Sequence, residues 1–155
     1  MEEAKKGENK PKLEFDFIPE ESWKFNLRHI LSPAAWDVVR RDAYKRANYK
    51  CRICGRGNCR LEAHEKWSFD TKRHIQQLDD VLALCHECHA VIHYQRTALC
   101  EGAEGAARAQ AHYMRVNGCT QAEFHEALAK AAQKHRELNE IEDWRLDLSF
   151  LKRFV

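Results

Sequence analysis

Four cysteines in two matched pairs, Cys51 with Cys54 and Cys85 with Cys88, constrain this chain more than any other feature. Each pair is a C-x-x-C, thirty residues separate the two, and four thiolates so arranged suit tetrahedral zinc. Each pair is expected on a turn that points two sulfurs inward, and the first, CRICGRGNCR, carries two glycines that favour a tight turn around an ion. Zinc then joins chain segments that otherwise share few contacts, with binding worth on the order of 10 kcal/mol of folding free energy. Sulfur at all four positions leaves no place for substrate, so this zinc is predicted to be structural. A redox-active C-x-x-C accounts less well for two matched pairs. Cys59, Cys100 and Cys119 read as ordinary reduced thiols, with Cys59 close enough to Cys54 to compete for the metal. Seven cysteines is an odd total, and the opening MEEAKKGENKPK lacks the apolar segment of a secretory signal. A disulfide framework is therefore the weaker explanation, and a cytoplasmic chain without a membrane span is expected.

At 155 residues the chain can bury one compact core with attachments, and its pattern is that of an α+β protein. Residues 1–12 have the composition of a solvated, disordered tail. Leu13 to Ile18 alternates apolar and charged residues, as a short strand or an extended arm would. Ser32 followed by Pro33 starts a helix that should run to about Asn48. Leu61 to Glu65 and Val81 to Leu84 read as paired strands, with the polar stretch between them as a loop, and the second cysteine pair opens a helix to about Gln95. Ala103 to Val116 reads as a helix stopped at Gly118. Thr120 and Glu123 then have capping-box spacing for another, running to about Glu140. Apolar residues in WRLDLSFLKRFV predict a docked tail. The expected division is a tail at 1–12, a zinc-centred unit at 13–100, and a helical hairpin with docked tail at 101–155.

Charge is unevenly spread. Lysine and arginine exceed the acids by only 26 to 24, yet Arg40, Arg41, Lys45, Arg46, Lys50, Arg52, Arg56 and Arg60 face a single acid, Asp42, between positions 40 and 60. Such a patch suits phosphates, with steep salt dependence and little sequence preference. Trp67 and Phe69 read as core or loop anchors rather than base-stacking rings. Of the nine histidines, His64, His74, His89 and His93 lie between or just after the cysteine pairs, and the i, i+4 spacing of His89 and His93 puts two imidazoles on one helix face, within reach of one cation.

The first C-x-x-C, then LEAHE, then LDDVLALCHECHAVIH together resemble the HNH endonuclease superfamily in its zinc-stapled form, over roughly Ala47 to Tyr94. The resemblance implies a ββα-metal core and hydrolysis of DNA phosphodiesters to a 5′-phosphate and a 3′-hydroxyl. It implies His64 as general base, a role suited to an imidazole of ordinary pKa near 6.5, and a catalytic Mg2+ or Mn2+ held by His89 and His93. Asp80 falls where the family usually has asparagine and would orient His64. The position before the base usually supplies a metal ligand. Here it is Ala63, so Glu65, Asp70, Glu62 or Asp79 is expected to contribute an oxygen, Glu65 first. A homodimer would let one site per chain cut both strands. The alternative is a catalytically inactive zinc module that binds nucleic acid or a protein partner.

Overall fold

A computed structural model describes residues 12–154, so the tail expected at 1–12 lies, but for Lys12, outside the described residues. The class is α+β, with a three-stranded sheet and helices on both of its faces. A 3-10 turn, Glu20–Phe25, and a short helix α1, Leu27–Ile30, lead into α2, Pro33–Arg46, where the Ser32 hydroxyl accepts from Ala35 N–H at 3.1 Å and Pro33 takes the first turn.

A long antiparallel hairpin follows, β1 Leu61–Asp70 against β2 Ile75–Cys85. The polar stretch expected as a loop is therefore mostly strand. Only residues 71–74 turn, because Trp67 alternates with Lys66 and Ser68 and buries against the sheet's apolar face. The register slips between Lys66 and Trp67: Lys66 pairs with Asp80 and Trp67 with Leu78, leaving Asp79 as the extra residue of a β-bulge. The bulge shifts the alternation, so that Leu78 and Val81, three apart, both enter the core on the α2 side.

The chain passes from β2 directly into α3, His86–Ile92, then α4, Tyr94–Asn117, which is interrupted at Gly102 (φ 70°, ψ −160°). Gly118 caps α4 in the left-handed conformation, and Thr120 and Glu123 form the capping box of α5, Gln121–Asn139. The ending docks: β3, Arg145–Asp147, adds in parallel to β2, and the 3-10 segment Ser149–Phe154 sends Phe150 into the core beside Trp36 and Val39. Among the described residues no helix is long and apolar enough to cross a membrane.

The sheet separates two cores. Leu27, Trp36, Val39, Ala63, Trp67 and Val81 fill the α2 side. Leu84, Val91, Ile92, Tyr113 and Phe124 fill the α3–α4–α5 side. The segment after Leu13 is an extended arm rather than a strand. Asn117 clasps its start, accepting from Leu13 N–H at 3.0 Å and donating to Leu13 C=O at 2.9 Å. Phe15 then stacks on Tyr113 and meets Phe124 edge-on, and Asp16 N–H donates to Ile92 C=O. Phe124 is fully buried and also contacts the rings of Tyr94 and Tyr113. Phe124→Ala is expected to cost about 3–5 kcal/mol, read as a lowered urea midpoint with the arm's chymotryptic sites at Phe15 and Phe17 more open.

Candidate metal centres

Cys51 and Cys54 lie on the turn after α2, whereas Cys85 ends β2 and caps α3, with Cys88 in its first turn. Gly55 adopts φ 78° in the first turn and donates to Cys51 C=O, a conformation that a side chain would strain. The four sulfurs lie within 4.8 Å of one another, with Cys54 and Cys85 at 3.6 Å. Zinc bonds of about 2.3 Å give a tetrahedron with edges of roughly 3.8 Å, so the cluster fits that ion. Electrostatics agree. The Cys88 side chain and nearby backbone N–H groups hold the Cys51 thiol down to about 4, whereas burial pushes Cys85 up to about 12, and the bond to Cys51, with burial, raises Cys88 further. Four sulfurs this close ionise together only around a cation. Cys59 stands apart from the cluster, its thiol turned to Arg56 C=O.

His112, from α4, reaches this cluster and has no signal in the spacing of the cysteines. Its Nε2 lies 3.2 Å from Cys88 Sγ and its Nδ1 3.2 Å from an Arg115 nitrogen. Arginine can only donate, so Nδ1 accepts and Nε2–H donates to the sulfur.

A second cluster joins His64 of β1 to His89 of α3 and His93 just after it. Their donor nitrogens lie within 4.8 Å of one another, and the three rings meet edge to face with centroids 4.8–5.4 Å apart. Glu62, two residues before His64 and so on the same strand face, accepts from His89 Nδ1 at 2.7 Å and from His86 Nδ1 at 3.0 Å. Because a carboxylate only accepts, His89 carries its proton on Nδ1 and keeps the Nε2 lone pair free for a metal. Burial opposes ionisation of Glu62, but the two imidazole hydrogen bonds bring its carboxyl below the usual range. Burial, then the neighbouring His89 and His64, push His93 down to about 2, and burial also lowers His89. Convergent imidazoles that resist protonation are donors suited to a divalent cation. Asp16, from the arm, brings its Oδ2 to 3.4 Å from His64 Nε2, a meeting that no sequence proximity announces.

Other expected residues lie elsewhere. Glu65 points to the opposite face of β1, where it accepts from Leu27 N–H and burial raises its carboxyl, so it does not join the histidines. Asp70 accepts from Lys72 and Arg73 N–H at the hairpin tip, and Asp79 accepts from Ser68 Oγ at the bulge. Asp80 does not orient His64. It accepts from Val81 N–H and from Arg46, pinning α2 to the sheet. His74 pairs with Asp143. In the basic stretch Arg40 pairs with Asp37, Arg46 with Asp42 and Asp80, and Arg56 with Glu87; Arg41, Lys45, Lys50, Arg52 and Arg60 have no ion pair among the described residues.

No protein-family model matches this chain, and comparison with curated proteins and with solved structures finds no match either.

Two measurements follow from these geometries. Stripping zinc from the cysteine cluster with a strong chelator, or Cys88→Ser, should abolish the cooperative thermal transition seen by circular dichroism. His93 has a folded pKa below its unfolded value near 6.5, so the unfolded chain binds more protons and stability falls as pH drops below 6.5. Between pH 6.5 and 5 this loss is about 2 kcal/mol. His93→Gln should lessen the fall in urea midpoint by a corresponding amount.

Proposed function

We propose that this chain is a metal-dependent endonuclease of HNH type that hydrolyses DNA phosphodiesters, with a structural zinc in its cysteine cluster. The observation that carries the reading is the convergence of His64, His89 and His93 from a hairpin strand and the following helix, backed by Glu62. A cavity of about 220 Å³ is lined by His89, His93 and Glu62, and Arg96, on its wall, is a cation able to meet a phosphate. The motif resemblance over Ala47 to Tyr94 supports the same reading.

In this reading His64 completes the metal's ligand set, supplying the donor that Ala63 lacks, and is not free to act as base. Glu62 holds His89 in the ligating tautomer. Asp16, whose carboxylate has no hydrogen-bonded partner among the described residues, is assigned to take the proton from the attacking water. Three imidazoles suit Mn2+, Co2+, Ni2+ or Zn2+ better than Mg2+, which prefers oxygen donors. The bound cation would offset charge developing on the phosphate oxygens and the departing 3′ oxygen.

Supercoiled plasmid nicking by the zinc-loaded chain, with each of these cations added in turn, tests the reading. Activity should be higher with Mn2+ than with Mg2+. His64→Ala and His89→Ala should each lose at least about a hundredfold, and Asp16→Asn a similar amount at unchanged metal affinity. Glu62→Gln should instead weaken metal affinity by about 10- to 100-fold. Absence of nicking with every cation, by a folded protein, would overturn the proposal.

A further inference from the structure

A second cavity, of about 500 Å³, lies on the other side of the β1 edge from the histidine-side cavity, and Glu62 lines both. Its walls bring three arginines from separate parts of the chain to one groove: Arg28 of α1, Arg40 of α2 and Arg60 just before β1. Two of them lie over aromatic rings, Arg28 over Trp36 at 5.7 Å and Arg40 over Tyr44 at 6.0 Å, which steadies the guanidinium planes; Arg40 also donates to Asp37 from two of its nitrogens, so only its remaining N–H groups are available to an anion. Arg60 has no ion-pair partner among the described residues.

Tyr49 also lines this groove and is 63% exposed as a residue. Its backbone is held at φ 59°, directly after Asn48 at φ 54°. Two consecutive left-handed residues are costly, and an aromatic residue is poorly suited to that conformation. The turn is held by Tyr49 N–H donating to Tyr44 C=O at 2.9 Å. A glycine at this position would relieve the strain, so an outward-facing ring beside three cations is a costly arrangement that packing does not explain.

We infer that this groove binds unpaired DNA, with Tyr49 stacking on a base and Arg28, Arg40 and Arg60 holding the flanking phosphates, and that it feeds the strand past Glu62 to the histidine cluster. The feeding step rests on the endonuclease reading; the binding step does not. Several features favour a single strand. A groove of about 500 Å³ has room for a nucleotide, and an exposed ring stacks on a base face that a duplex buries everywhere except at its ends. Cations with an exposed aromatic ring are the elements by which proteins hold single strands with little sequence preference.

The test uses the full, zinc-loaded chain and fluorescein-labelled oligonucleotides, one single-stranded and one duplex of equal length, with binding read by fluorescence anisotropy. The single strand should bind at least about tenfold more tightly than the duplex. Tyr49→Gly should lose about tenfold of that affinity, the size of one stacked base, while melting no lower than the parent chain, and Tyr49→Phe should retain it. Arg60→Ala should weaken binding and flatten its dependence on salt. Equal binding of both forms, or unchanged single-strand affinity in Tyr49→Gly, would overturn the inference. The same variants in the nicking assay separate the two proposals. Stacking-dependent binding without cleavage under any cation leaves the groove and removes the nuclease, whereas cleavage that is indifferent to strandedness and to Tyr49→Gly leaves the nuclease and removes the groove.

Discussion

The four-sulfur cluster is the constraint on which the rest of the structure depends. It lies where the turn after α2 meets the end of β2 and the start of α3, so it sets how α3 leaves the sheet. The same sulfurs that gather there also organise that helix start, since Cys85 Sγ accepts from Cys88 N–H at 3.4 Å. His89 and His93 follow within two turns of the second cysteine pair. The histidine cluster therefore inherits its geometry from the cysteine cluster, a corner able to hold zinc that fixes how α3 leaves β2 and so where His89 and His93 meet His64 on the paired strand β1. Arg56, between the knuckles, pairs with Glu87 at 2.9 Å and adds a charge contact across the same corner.

Around this corner, polar residues divide the labour. Glu62 binds two imidazoles and so determines which nitrogen His89 offers. Asp80, two residues beyond Leu78 and just past the bulge, is turned to Arg46 and ties α2 to the sheet. The arm after Leu13 crosses α3 and α4 through aromatic packing, and that packing brings Asp16 to His64. Glu62, Glu65 and Asp80 are each hydrogen-bonded, the expected outcome when burial makes an unsatisfied polar group expensive, whereas the Asp16 carboxylate faces His64 without such a partner among the described residues.

Much of this was legible beforehand. The start of α2 at Ser32–Pro33, the stop at Gly118 and the capping box at Thr120 depend on contacts only a few residues apart, so local chemistry specifies them. The length of the hairpin strands is hidden in the sequence because a run of lysines, aspartates and glutamines masks the alternation of Trp67 and Phe69 and because a bulge breaks the period at Asp79. Glu65 and Asp70 looked as close to His64 as Glu62 does, but strand alternation sends Glu65 to the other face and distance along the strand carries Asp70 to the hairpin tip.

By itself the sequence determined the cysteine pairs, the helical spacing of His89 and His93, and the caps, since each is a relation between near neighbours along the chain. Only the tertiary structure decided that His64 joins those two histidines, that Asp16 and His112 reach the two clusters from distant segments, and that Arg28, Arg40, Arg60 and Tyr49 share one groove. The physical reason is that those meetings depend on how the helices and the arm pack against the two faces of a bulged, twisted hairpin, and no local spacing encodes that packing.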